Sequence, residues 1–180
     1  VALLPSKIPD IPGYEIQGAN VPSRGVSGDY YEVIERLDGK ECVLLIADVS
    51  GKGVAASLLT ASLEALAATP IEEGQPPDEI FTRLSRQLFR RTPPEKFATV
   101  FVAMLDVESG TIRYANAGHN PPLLVRAATG DIERLGPTGP PIGLFPASVY
   151  KASEVALGPG DLLVLYTDGI VEAVNPDDEE

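Results

Sequence analysis

The stretch Leu44–Gly53, LLIADVSGKG, constrains the chain more than any other. The apolar run Val43-Leu44-Leu45-Ile46-Ala47 ends in an acid, Asp48, followed by Val49, Ser50 and the turn Gly51-Lys52-Gly53. A run this short and partly β-branched reads as a buried strand. The turn feeds an Ala- and Leu-rich pattern over Val54–Thr69, with Leu58, Leu59, Leu63 and Leu66 spaced for one helix face. Asp48 therefore stands where a rigid strand hands over to a loop. A carboxylate there is held firmly yet can reach solvent, a metal or a substrate. Capping of the turn or the helix is the other use of an acid in that position.

The neighbouring sequence bears on that choice. Asp29-Tyr30-Tyr31-Glu32-Val33-Ile34 is aromatic and β-branched, hence strand-like, and Asp38-Gly39 is a hairpin signal joining it to Cys42–Asp48. An antiparallel pair of this kind brings Asp29 close to Asp48. Two carboxylates at one end of a sheet repel unless a cation lies between them. Further on, Leu162–Tyr166 reads as a strand running into Thr167-Asp168-Gly169, the same pattern of apolar strand, acid and glycine turn.

Between these points the order is helices, then hairpins. Pro70 is expected to stop the first helix. Asp78 is placed to cap a second, striped by Ile80, Phe81, Leu84, Leu88 and Phe89. Arg83, Arg86, Arg90 and Arg91 on its other face are solvated or dock an acidic partner. Tyr14–Val21, Phe97–Val107, Thr111–Ala115, Leu123–Ala127 and Val149–Leu157 read as strands. Gly136–Pro146 reads as a packed loop or a flap near the substrate. Segregated strand and helix blocks argue for an α+β fold with antiparallel sheets. So many apolar strands are best buried by two sheets packed face to face, with helices outside.

Composition narrows the function. The chain has 180 residues and a formal net charge of −12, which makes it a poor partner for nucleic acid. Its single Cys42 excludes an internal disulfide and a Cys-rich zinc site, and lies where a core thiol is expected. No apolar run approaches the ~20 residues of a membrane span, and no signal peptide shows, so a cytoplasmic protein is expected. The chain opens on Val1 and stops in an acidic stretch, so it reads as one domain of a longer protein. Gly51-Lys52-Gly53 is not a P-loop, and a Ser-His-Asp arrangement would have to rest on the single His119 in a proline-rich turn. Three acids at the ends of three apolar strands remain: Asp29, Asp48 and Asp168. Carboxylates with backbone carbonyls and water are what Mg²⁺ and Mn²⁺ favour, and two such ions can clamp a phosphate.

Val26-Ser27-Gly28-Asp29-Tyr30-Tyr31, Ala47–Gly53, Phe97-Ala98-Thr99, Asn116-Ala117-Gly118-His119-Asn120-Pro121-Pro122 and Tyr166-Thr167-Asp168-Gly169 occur in that order. In this the chain resembles the SpoIIE/RsbU-like phosphatases, the bacterial branch of the metal-dependent (PPM, type 2C) protein serine/threonine phosphatases. The Leu3-Leu4-Pro5 lead-in is similar too.

The resemblance implies a four-layer α-β-β-α sandwich with two Mn²⁺ or Mg²⁺ ions at one end of the sheets. It implies that Asp48 bridges both ions, that the Val49 carbonyl binds one and Asp168 the other, and that Asp29 holds metal-bound waters or one ion. The implied nucleophile is metal-bound hydroxide, without a phosphoenzyme. The implied substrate is phosphoserine or phosphothreonine on a STAS-domain anti-anti-sigma protein, whose dephosphorylation frees a sigma factor by partner switching. An upstream sensor or receiver domain is expected, and a homodimer is left open. Two features depart from the pattern: Glu32 stands where Asp is frequent, and the family's later Asp-Asp motif is not reached before Glu180, so the domain is expected to be incomplete at its C-terminus. Arg24 and Lys52 are candidate phosphate binders or surface residues. His119 is a hydrogen-bonded turn residue or a general acid, and Thr99 a structural one. The alternatives to a protein phosphatase are a docking module of the same fold, incomplete at the metal site, and a small-molecule phosphohydrolase.

Overall fold

A computed structural model of the chain describes residues 7–21, 28–51, 53–93 and 96–172. Strand β1 (Tyr30–Arg36) turns into β2 (Glu41–Val49) through Leu37, Asp38 and Gly39, all at positive φ. Asp and Gly tolerate that region best, which is why Asp38-Gly39 places the turn. Helices α1 (Val54–Glu72) and α2 (Pro77–Arg91) follow. The chain then returns through β3 (Ala98–Asp106), β4 (Thr111–Ala117), β5 (Leu123–Val125), β6 (Ile132–Arg134), β7 (Ser153–Ala156) and β8 (Leu162–Val164), and ends in the short α3 (Asp168–Val171). One sheet has the order β1-β2-β3-β4-β7 and the other β6-β5-β8. Every pairing within them is antiparallel.

The period of two along each strand divides the core. Val43, Leu45, Ala47 and Val49 of β2 and Val100, Val102 and Met104 of β3 face the helices. There they meet Leu59 and Leu63 of α1 and Ile80, Phe81, Leu84 and Leu88 of α2. Cys42 and Ile46, with Phe101, Ala103, Leu105, Ile112 and Tyr114, face the other way. They pack on Leu135, Leu163 and Leu165, from the second sheet and its flanks. The layering is that of an α+β sandwich. Among the described residues the paired helices α1 and α2 cover one face of the first sheet. Cys42 is fully buried as expected, and burial pushes its thiol up to about 11.

Several local expectations change. Pro70 does not stop α1; the helix carries it in its last turn and runs to Glu72. A proline that late removes one intrahelical bond, and the fully buried Ile71 draws the turn into the core. The chain leaves the helical path at Gly74, φ 73°. Asp78 does not cap α2. Pro76 occupies the cap position and Pro77 the first helical one, where a missing N–H costs nothing. Asp78 sits one residue further in, favourable to the helix dipole, and pairs with Arg113 at 3.6 Å. Tyr14–Val21 is not a strand. Of Val149–Leu157 only Ser153–Ala156 pairs, against β4. Gly136–Pro146 packs as a segment of the core: Ile142 is fully buried and exchanges two backbone hydrogen bonds with Ala98, at 3.0 and 2.8 Å.

Candidate metal centre

The site lies where β1 begins and β2 ends. Tyr30 pairs with Ala47, so Asp29, one residue before β1, comes alongside Asp48. Asp48 lies opposite Thr99 in the next strand. Asp168 comes from the second sheet. The expectation that it ends a strand is modified: β8 stops at Val164, an extended link follows, and Asp168 opens α3. One carboxylate oxygen from each of Asp29, Asp48 and Asp168 lies within 4.8 Å of the others. Asp29 and Asp48 are half-buried and Asp168 is exposed, so the cluster opens to solvent on the side of Asp168.

The neighbourhood keeps this cluster open and aimed. A Cβ on Gly28 would stand 3.1 Å from the Val49 carbonyl oxygen and 3.6 Å from Asp48 Oδ1, so a side chain there would crowd both. The buried Thr60 hydroxyl of α1 donates to the Gly28 carbonyl at 3.2 Å and fixes the approach to Asp29. After β2 the Ser50 amide donates to the Phe97 carbonyl at 2.9 Å, and Ser50 Oγ accepts from the Phe97 amide at 3.0 Å. That reciprocal pair fixes the turn behind Asp48.

Charge is concentrated here. Burial pushes Asp48 up to about 6, and the nearby Asp168 and Asp29 push the same way against a stabilising hydrogen bond from the Val49 amide. A protonated Asp48 must lose its proton to bind a cation. Divalent metal affinity is therefore expected to be flat above pH 6 and to fall by up to about tenfold per pH unit below it. Titration calorimetry at pH 5, 6 and 7, in buffers of different ionisation enthalpy, checks this; affinity indifferent to pH in that window contradicts it.

The donor set fits Mg²⁺ or Mn²⁺: three hard carboxylate oxygens, the Val49 carbonyl kept clear by Gly28, and mutual repulsion that a cation relieves. Oxygens opposite each other on an octahedral ion lie ~4 Å apart, a spread comparable to the one seen.

Of the other sequence candidates, Arg24 and Lys52 lie outside the described residues. His119 is the hydrogen-bonded turn residue expected: its amide donates to Asn116 Oδ1 at 2.8 Å, and its Nδ1 lies 3.0 Å from Thr99 Oγ1. Sequence reasoning missed Lys96, whose Nζ stands 2.7 Å from where a Cβ on Gly51 would be. Its position after two prolines gave no periodic signal. Thr99, structural by its sequence, also meets His119 through its hydroxyl on the strand facing Asp48.

Residues 38–180 match the family described as Stage II sporulation protein E (SpoIIE). The chain belongs to the SpoIIE family. Phosphoserine phosphatase RsbU of Bacillus subtilis is 29% identical over 170 residues, covering 94% of this chain and 50% of that protein. Among solved structures, the RsbU and RsbW domains of Rv1364c from Mycobacterium tuberculosis superpose with a TM-score of 0.72 at 30% identity, over 86% of this chain and 42% of that one. The PP2C phosphatase domain of SpoIIE from Bacillus subtilis shares the fold, with a TM-score of 0.71 at 24% identity, over 82% of this chain and 42% of that one. The SpoIIE-family chain described here is thus of the RsbU-like, PP2C-type fold. It spans between about a sixth and a half of the length of the curated relatives it matches. Among its described residues no helix is long and apolar enough to cross a membrane.

Proposed function

We propose that this chain is the catalytic domain of a divalent-metal-dependent protein phosphatase, acting in the cytoplasm on phosphoserine or phosphothreonine of a STAS-domain regulator. The observation that carries the reading is the convergence of Asp29, Asp48 and Asp168 from two sheets within 4.8 Å, at a site open to solvent. The name of its relative RsbU, a phosphoserine phosphatase, supports the reaction class. In this reading Asp48, Asp168 and the Val49 carbonyl would hold the divalent cations, and Asp29 would hold one directly or orient water. Bound Mg²⁺ or Mn²⁺ supplies Lewis acidity toward the phosphoryl oxygens and toward water. The chain's own part is to hold three carboxylates together and aimed, to keep the Val49 carbonyl free of a side chain at Gly28, and to leave the Asp168 side open to a protein substrate. Arg24 and Lys52, outside the described residues, are the cations this reading offers the substrate phosphate, with plain surface residues as the alternative. The domain belongs to a longer protein with a sensor domain ahead of it.

The test is phosphate release from p-nitrophenyl phosphate and from a phosphoserine STAS protein, with Mn²⁺ and Mg²⁺ titrated in. Saturable metal dependence and faster turnover of the phosphoprotein support the reading. Faster turnover of nucleotides or sugar phosphates favours a small-molecule phosphohydrolase. No turnover with either metal sinks the catalytic assignment.

A further inference from the structure

Behind the three acids lies a second polar feature that the metal site does not absorb. His119 is 2% exposed. Its Nδ1 meets Thr99 Oγ1 at 3.0 Å, and the same hydroxyl lies 3.5 Å from the carbonyl oxygen of Asp48, its cross-strand partner. The main chain of His119 is pinned separately: its amide donates to Asn116 Oδ1 at 2.8 Å, and Asn116 Nδ2 donates to the Leu135 carbonyl at 3.1 Å. Nε2 is buried and makes no hydrogen bond among the described residues. The Tyr166 backbone and the Asp168 carboxylate lie near enough to act on the ring.

A buried polar atom left unpaired is destabilising, and an apolar side chain of similar size would avoid that cost. An imidazole is useful here only if both nitrogens serve. Thr99 has one hydroxyl proton and two acceptors in reach, the Asp48 carbonyl at 3.5 Å and Nδ1 at 3.0 Å; given to the nearer Nδ1, it leaves the ring proton on Nε2, the nitrogen left to meet the backbone ahead of Asp168.

We propose that His119 is a positioning residue: held by Thr99 as the Nε2–H tautomer, it ties the strand facing Asp48 to the Tyr166–Asp168 segment and so sets the spacing of the two acids. The idea extends the phosphatase reading only in its consequence, that loosening this clasp weakens metal binding without touching a ligand. Outer partners of this kind typically change metal affinity by 10–100-fold.

His119 is the single histidine of the chain, so its imidazole signals need no assignment. Long-range ¹H–¹⁵N spectra of the metal-free protein are expected to show a neutral ring with the proton on Nε2. Thr99→Val, nearly isosteric but without the hydroxyl, is expected to shift the Nδ1 resonance and to weaken Mg²⁺ binding, by calorimetry, about 10–100-fold. Thr99→Ser is expected to restore both. His119→Phe, which keeps a ring and removes both nitrogens, is expected to match Thr99→Val in affinity. A ring protonated on Nδ1 instead, or Thr99→Val binding Mg²⁺ as the parent does while folded, overturns the clasp. If the parent chain itself binds no Mg²⁺, the phosphatase reading fails, and the tautomer alone decides the clasp.

Discussion

Asp48→Asn is expected to lower metal-dependent phosphate release by ~10³-fold or more, in the upper range for losing a group that stabilises charge in the transition state. The same substitution is expected to make the metal-free protein more stable at neutral pH. Asp48 binds its proton more tightly in the folded chain than in the unfolded one, since its folded value is about 6 and the usual carboxylate value is near 4. An acid shifted upward stabilises the fold at low pH, and that contribution is lost as pH rises through about 6. At pH 7 the folded state therefore carries a charge it would rather neutralise. Discounting for partial exposure, Asn relieves roughly 1–2 kcal/mol, or about 3–6 °C in melting temperature for a domain of this size. Scanning calorimetry of both metal-free proteins at pH 5 and pH 7.5 measures it. The gain should appear at pH 7.5 and shrink at pH 5. Equal melting temperatures at both pH values, or a loss, would refute the electrostatic account of the site.

The second large effect lies in the core. Phe101 is fully buried on the face of β3 turned toward the second sheet, stacked on Tyr114 with ring centroids 5.5 Å apart. Phe101→Ala is expected to cost about 3–5 kcal/mol, from lost burial and the cavity left behind. For a domain of this size that is a fall of ~10 °C or more. Leu58→Ala, at a side chain 65% exposed on α1, should cost little by comparison. Urea unfolding decides between them, with an unchanged slope showing that stability rather than compactness has moved. Phe101 pairs in register with both Ile46 and Asn116. Its loss should therefore also loosen the loop that carries His119.

Much of this was legible in the chain because the signals are local. Asp38-Gly39 fixes a hairpin, the hairpin fixes a register, and the register places Asp29 beside Asp48 without any knowledge of the remaining fold. The apolar stripe of α2 was equally plain. What misled was also local: Pro70 and Asp78 carry strong rules of their own. Those rules yielded to the burial of Ile71 in one case and to the Pro76-Pro77 pair in the other. The contact between Thr99 and His119 is of a different kind. Neither residue has a pattern that names the other, and their meeting depends on how β3 and β4 pair and on the turn after Ala117. Lys96 beside Gly51 escaped for the same reason. The second sheet was hard to delimit because β5, β6 and β8 are three residues each, too short for alternation to show.

The arrangement of the three acids also has a kinetic side. Asp29 and Asp48 come together with the closing of one hairpin, a fast and local event on the microsecond scale. Asp168 reaches them only after two helices and six further strands have found their places. Its approach carries the loop-closure entropy of a long intervening chain. Contacts between residues so far apart in sequence form late in domains of high contact order. A partly folded chain would hold two of the acids without the third, and its grip on a cation would be correspondingly weak. Tight divalent binding thus marks the completion of folding, and a pulse of metal added during refolding would time the docking of the second sheet onto the first.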